Sequence, residues 1–132
     1  MTPSITFRLN QNSGVPAYQQ IVLQIKHALR LGSLVPGDQL PTVREVVATI
    51  PLNPNTVFKA YRELEMEGLV ESRQGQGTFI TNTINESKLD FSLIEEQLTQ
   101  LVRGAYQKGL EREDLEALFT RVLYNVFEEA AL

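Results

Sequence analysis

The 132-residue sequence has no cysteine, which excludes disulfides and thiolate metal sites. It has one histidine, His27, so neither a Cys/His nucleophile pair nor a histidine-rich metal site can be assembled. No apolar run approaches the roughly 18 residues of a membrane span, and Met1-Thr2-Pro3-Ser4 lacks the basic and apolar regions of a signal peptide. The glycine-rich stretch Gln74-Gly75-Gln76-Gly77 is not followed by the Lys-Ser/Thr of a phosphate-binding loop. Carboxylates gather at Glu111, Glu113, Asp114 and Glu116, but this is a helix start, where acids complement the helix dipole. These absences predict a soluble cytoplasmic protein that is not an enzyme and binds no metal or cofactor.

Positive charge is also scarce. A net charge of −4 opposes binding of nucleic acid through bulk electrostatics. The imbalance is local, however. Residues 1–81 carry seven Lys/Arg against six Asp/Glu, and residues 82–132 carry five against ten. Four of the seven N-terminal cations (Arg44, Lys59, Arg62 and Arg73) fall in one short stretch.

That stretch, Leu40 to Ile80, is the most informative part of the chain. Thr42 and Glu45 have the spacing of a capping box, which predicts a helix start. Pro51 ends that helix, because its ring disfavours helical geometry at Ile50. A second helix starts at Asn53-Pro54, a good N-cap followed by proline at the first helical position. Val57, Tyr61 and Leu64 recur at helical spacing, and Gly68 suits the left-handed residue that closes a helix. Leu69 to Arg73 and Thr78 to Thr81 are β-prone runs around the turn signal Gln74 to Gly77. Helix, turn, helix and hairpin in that order describe a winged helix-turn-helix.

Residues 16–80 resemble the DNA-binding domain of the GntR family of bacterial transcription regulators. The resemblance rests on Pro36-Gly37-Asp38-Gln39-Leu40-Pro41, Val43-Arg44-Glu45, Asn55-Thr56-Val57, Ala60-Tyr61-Arg62-Glu63-Leu64-Glu65, Glu67-Gly68-Leu69-Val70 and Gly75-Gln76-Gly77-Thr78. The short acidic C-terminus and Asn53-Pro54-Asn55-Thr56-Val57 further resemble the YtrA-like branch. Two departures stand out. Pro51 occupies the turn position where the family usually has glycine, and proline cannot take a positive φ. Pro54 and Phe58 stand where many members place arginines that touch DNA, so those two contacts do not carry over.

The resemblance implies that Arg44 donates to base or phosphate; read alone, it is also an ordinary surface arginine. Asn55 can pair with adenine and Thr56 can touch phosphate or a thymine methyl, or both merely support the helix start. Lys59 lies one turn further along the same side. Arg62 is open between DNA and pairing with Glu63 or Glu65, and Phe58 is either a core residue or a rare exposed aromatic, with burial the expectation. Thr42, Pro54, Arg73, Gln74, Gly75, Gln76, Gly77 and Thr78 complete the candidate DNA-facing set, with the glycines either admitting the sugar-phosphate backbone or serving the turn alone. Tyr61 is expected to pack against the first helix.

The remaining segments fit around this head. Ile5, Phe7 and Leu9 alternate with polar residues and suggest a short strand; residues 16–31 form a helix with Tyr18, Ile21, Val22, Ile25 and Leu29 on one stripe. Leu34 to Asp38 reads as a turn. The C-terminal part reads as two helices. One, from about Asp90 to Lys108, carries Ile94, Leu98, Leu101 and Val102; the other, from near Glu113, carries Leu115, Leu118, Phe119, Val122, Leu123 and Val126. Such faces cannot be buried by two helices alone, which predicts an antiparallel pair that meets a second copy.

The sequence thus predicts a mainly α protein with a small β-hairpin wing. A winged helix-turn-helix domain spans 1–81, a polar linker 82–87 and a two-helix dimerisation section 88–132. The expected function is a homodimeric, sequence-specific transcription regulator, a repressor by resemblance, on a pseudo-palindromic operator in double-stranded DNA. The alternative is a winged-helix module that binds protein. The section after the head is too short to enclose a pocket of roughly 300 Å3 within one subunit. A small-molecule effector would therefore sit at the dimer interface or between head and tail.

Overall fold

The computed structural model describes residues 5–82 and 89–131. The chain divides into two compact units, Met1–Lys88 and Leu89–Leu132. The linker expected over 82–87 lies outside the described residues, apart from Asn82.

The first unit contains α1 (Ala17–Arg30), α2 (Val43–Thr49), α3 (Pro54–Met66), β1 (Val70–Arg73) and β2 (Gly77–Ile80). Its core gathers Ile21, Val22 and Ile25 of α1, Val46 of α2, and Val57, Ala60, Tyr61 and Leu64 of α3. Leu34, Leu40, Val70 and Ile80 close it from the loops and the hairpin. Each buried Val, Leu or Ile side chain contributes about 1.5–3 kcal/mol, so the ten such groups among these residues hold three short helices that would be marginal alone.

Local chemistry sets each boundary. Thr42 Oγ1 accepts from the Glu45 amide at 3.1 Å and Glu45 Oε1 accepts from the Thr42 amide at 3.3 Å, so the capping box forms. Asn53 Oδ1 accepts from the Asn55 amide at 2.8 Å, with Pro54 in the first turn of α3. Gly68, φ 79°, ends α3 while the Leu69 amide reaches back to Leu64 O at 3.0 Å, the pattern of a Schellman motif. The turn between α2 and α3 closes without glycine. The Leu52 amide donates to Ile50 O at 2.8 Å across Pro51, a γ-turn compatible with the proline ring's negative φ.

The hairpin pairs Val70 with Ile80 and Arg73 with Gly77. Its other edge is met by residues 37–40. Leu40 N donates to Thr78 O at 2.8 Å, Ile80 N to Asp38 O at 2.8 Å and Gly37 N to Ile80 O at 3.0 Å. β2 is therefore held from both sides, which fixes the wing to the start of α2.

The strand expected at Ile5, Phe7 and Leu9 does not form. Phe7 is buried as the alternation suggested, but the backbone finds side-chain partners in α1 in place of a neighbouring strand. Gln24 accepts from the Arg8 amide and donates to its carbonyl; Gln20, one turn earlier, does the same for Asn10. Two glutamines spaced by four residues thus satisfy two backbone positions spaced by two.

The second unit contains α4 (Ser92–Gln107) and α5 (Arg112–Ala131). Asp90 Oδ1 accepts from the amide and hydroxyl of Ser92, and these bonds hold its carboxyl below the usual range. Asp114 accepts from the Glu111 amide at 2.8 Å at the start of α5. The antiparallel pair expected from the sequence is not formed within one chain. No residue of α4 is buried, and on α5 only Leu115 and Phe119 are partly covered among residues 112–130. Leu98, Leu118 and Val122 are 47%, 42% and 53% exposed. Each helix has a wide apolar face, and most of it is left uncovered by the other.

Candidate nucleic-acid interface

The start of α2, the outer flank of α3 and the inner face of the wing enclose a groove of about 490 Å3. Its walls include Thr42, Arg44, Phe58, Arg62, Glu65, Ser72, Gly77 and Thr78. The structure therefore brings together five candidates separated by up to 36 positions in the chain: Thr42, Arg44, Arg62, Gly77 and Thr78. Arg44 and Arg62 are exposed, and neither makes an ion pair among the described residues. Pairing of Arg62 with Glu63 or Glu65, left open by the sequence, does not occur. Glu65 Oε2 instead accepts from Ser72 Oγ at 2.9 Å, which links α3 to the wing.

Tyr61 forms part of the groove wall. Its hydroxyl donates to Pro41 O at 2.7 Å, which reaches toward the start of α2. Burial pushes this hydroxyl's pKa far up, with the Glu45 carboxylate adding to it. Tyr61 thus stays a neutral donor that locks α3 against the segment bearing Thr42 and Arg44.

The crest of α3 follows from its period. At 3.6 residues per turn, Asn55, Lys59, Arg62 and Met66 lie opposite the buried stripe of Val57, Ala60, Tyr61 and Leu64, and all four are exposed. Pro54 is exposed at the helix start, and Thr56 is half-buried. Lys59 is turned to the α1 flank, where its Nζ sits 4.0 Å from the centre of the Tyr18 ring. An exposed contact of this kind contributes only about 0.5–1 kcal/mol, weak enough for a phosphate to compete with it.

Strand alternation separates the wing's polar residues. Ser72 and Thr78, paired in register, face the groove. Arg73 lies on the opposite face, where it donates to Glu71 Oε1 at 2.8 Å and stacks 4.1 Å from the Phe79 ring centre. Of the four clustered cations, two are therefore uncommitted and two already have partners.

The tip residues Gln74, Gly75 and Gln76 are exposed. Gly75, φ 74°, is the third residue of a turn closed by Gln76 N to Arg73 O at 2.9 Å, where a type II turn needs positive φ. Gly77 has a packing reason as well. A Cβ there would stand 2.6 Å from Gln39 Nε2, which donates to Gln76 O at 3.0 Å. Both glycines thus serve the hairpin itself, whatever else approaches it.

One expectation is overturned. Phe58 is 51% exposed. The pattern of buried positions 57, 60, 61 and 64 contains the explanation: residue 58 is one step off the stripe and lands on the groove side. Glu65, Ser72 and Gln39 had no distinguishing signal, because their roles depend on the wing folding back over α3. Among the described residues no group of three or more His, Asp or Glu could hold a metal ion, and no helix is long and apolar enough to cross a membrane.

Comparison with known proteins agrees with this geometry. Residues 17–80 match the family described as bacterial regulatory proteins, gntR family. The HTH-type transcriptional repressor YtrA of Bacillus subtilis is 44% identical over 112 residues, which cover 82% of this chain and 85% of that protein. A transcriptional antiterminator from Listeria monocytogenes superimposes with a TM-score of 0.58 at 32% identity, over 90% of each chain. The DNA-binding domain of AraR in complex with operator ORX1 gives a TM-score of 0.51 at 28% identity, covering 58% of this chain and 95% of that one. The chain belongs to the GntR family, in its YtrA-like branch, and is a transcription regulator with a winged helix-turn-helix DNA-binding domain.

Proposed function

We propose that the protein acts as a homodimeric repressor on a pseudo-palindromic operator, with one α3 helix entering the major groove of each half-site. The observation that carries this reading is the groove lined by Arg44 at the start of α2 and Arg62 on α3, neither of which makes an ion pair among the described residues. Asn55 on the crest supplies an amide suited to adenine, and the exposed wing tip at Gln74 to Gln76, next to Gly77 of the groove, suits sugar-phosphate contacts. The repressor naming of the Bacillus subtilis relative and the operator complex of AraR support the same assignment.

Unmet burial in the tail supports the dimer. Ile94, Leu98, Leu101, Leu118, Val122, Leu123 and Val126 are all more than two-fifths exposed. Apolar faces of this extent on two bare helices call for a partner, and a second copy supplies a matching one. Leu115 and Phe119, partly covered near the turn, belong to the same surface. Titration of operator candidates tests the proposal. Saturation at two chains per duplex, weakening as salt rises, is expected; saturation at one chain per duplex contradicts the dimeric reading.

A further inference from the structure

Among the described residues Phe58 takes no part in the core. It stands in the groove with Arg44 and Arg62, half exposed, on a helix whose other apolar groove-side residue, Tyr61, is buried. The two arginines, in no ion pair among the described residues, outnumber the groove's one carboxylate, Glu65, which is already bonded to Ser72, and so make the surroundings attractive to a polyanion. A cationic protein partner is disfavoured by the same charges. Between cations drawn to phosphates and base edges, an apolar ring needs an apolar counterpart. The major groove of DNA offers one, the C5-methyl group of a pyrimidine.

We propose that Phe58 is a specificity-determining residue that reads a pyrimidine C5-methyl group, that of thymine in ordinary DNA, once in each half-site. The inference rests on the operator-binding reading above. The ring is well suited to this task. It is carried by a helix anchored through Leu64 and through the hydroxyl of Tyr61, so its position relative to Arg44 and Arg62 is set before DNA arrives.

The test starts from duplexes selected by the native protein from random DNA. Each thymine is replaced in turn by uracil, which removes the methyl group and keeps the hydrogen-bonding edge. At one thymine per half-site, uracil should weaken the native protein by about fourfold, the ratio that burial of one methyl-sized group corresponds to. Phe58→Leu should keep part of that penalty, and Phe58→Ala should lose it. Running the selection with unmethylated and cytosine-methylated libraries separates the sources. Thymine recovered from both assigns the methyl to thymine, whereas cytosine recovered only from the methylated library assigns it to 5-methylcytosine. Operator binding with no uracil penalty that depends on residue 58 overturns the proposal alone. Failure of the native protein to bind any selected duplex overturns the operator reading with it.

Discussion

The two units of this chain use similar helices to opposite ends. α1, with 14 residues, buries Ile21, Val22 and Ile25 against its neighbours, whereas α4, with 16 residues and an apolar stripe of its own, buries nothing. The difference lies in what surrounds each helix. In the head, two further helices and a hairpin close over one core, and Lys26 joins α1 to Glu67 at the end of α3 at 3.0 Å. In the tail, a glycine turn at Gly109 separates two helices that leave most of each other uncovered. An amphipathic pattern therefore says that a helix has a partner; it does not say whether the partner belongs to the same chain.

The largest effect that would break this contrast comes from removing the tail. A chain ending at Lys88 should keep the head's helical signature and lose about 10²–10⁴-fold in operator affinity, because the second half-site no longer binds from a tethered partner. Undiminished affinity in a gel-shift titration would show that the tail does not link two heads.

Next in size is a pair of substitutions on the two sides of the comparison. Leu64→Ala, in the fully buried centre of the head, should cost about 2–5 kcal/mol in urea unfolding, at any protein concentration. Leu118→Glu should leave the head's unfolding unchanged but favour monomers, since a charge would be desolvated at an interface. Concentration-independent effects from both would remove the distinction between a core and an interface.

Within the head, Arg44→Ala should cost about 1–3 kcal/mol and relax preference at one operator position if it pairs with a base, while Arg62→Ala should weaken all sequences alike and lower the salt slope by about one. Arg73→Ala should do less than either, because Arg73 is already paired with Glu71 and stacked on Phe79. Competition binding across single-base operator variants checks all three.

The smallest effect concerns Tyr61. Tyr61→Phe leaves Pro41 O without its donor and should cost about 1 kcal/mol at neutral pH. The folded-state pKa of this hydroxyl lies above its unfolded value, so its contribution is complete below pH 10 and falls as pH rises beyond it. The native protein should lose stability above pH 10 more steeply than Tyr61→Phe does. Parallel pH profiles would show that Tyr61 is not held as a donor.

Much of the head could be read from the chain because its signals are local. Thr42 with Glu45, Asn53 with Pro54, and Gly68 each act within one turn of the backbone, and each boundary formed as expected. Pro51 was legible as a helix stop, but the γ-turn that replaces glycine was not. What failed depended on distant parts. The alternation at Ile5, Phe7 and Leu9 implied a strand, and the partner proved to be two glutamine side chains of α1. The contact of Lys59 with Tyr18, some 40 positions earlier, was not legible for the same reason, since it depends on α1 lying beside α3. Phe58 is exposed because its place one step off the stripe of Val57, Ala60, Tyr61 and Leu64 outweighs its apolar character.

Sedimentation equilibrium of the full chain and of the head ending at Lys88 tests the division of labour most directly. The account predicts a full chain that is dimeric at micromolar concentration and a folded head that is monomeric. A head that remains dimeric without α4 and α5 would contradict it, and would place the interface on the unit assigned here to DNA.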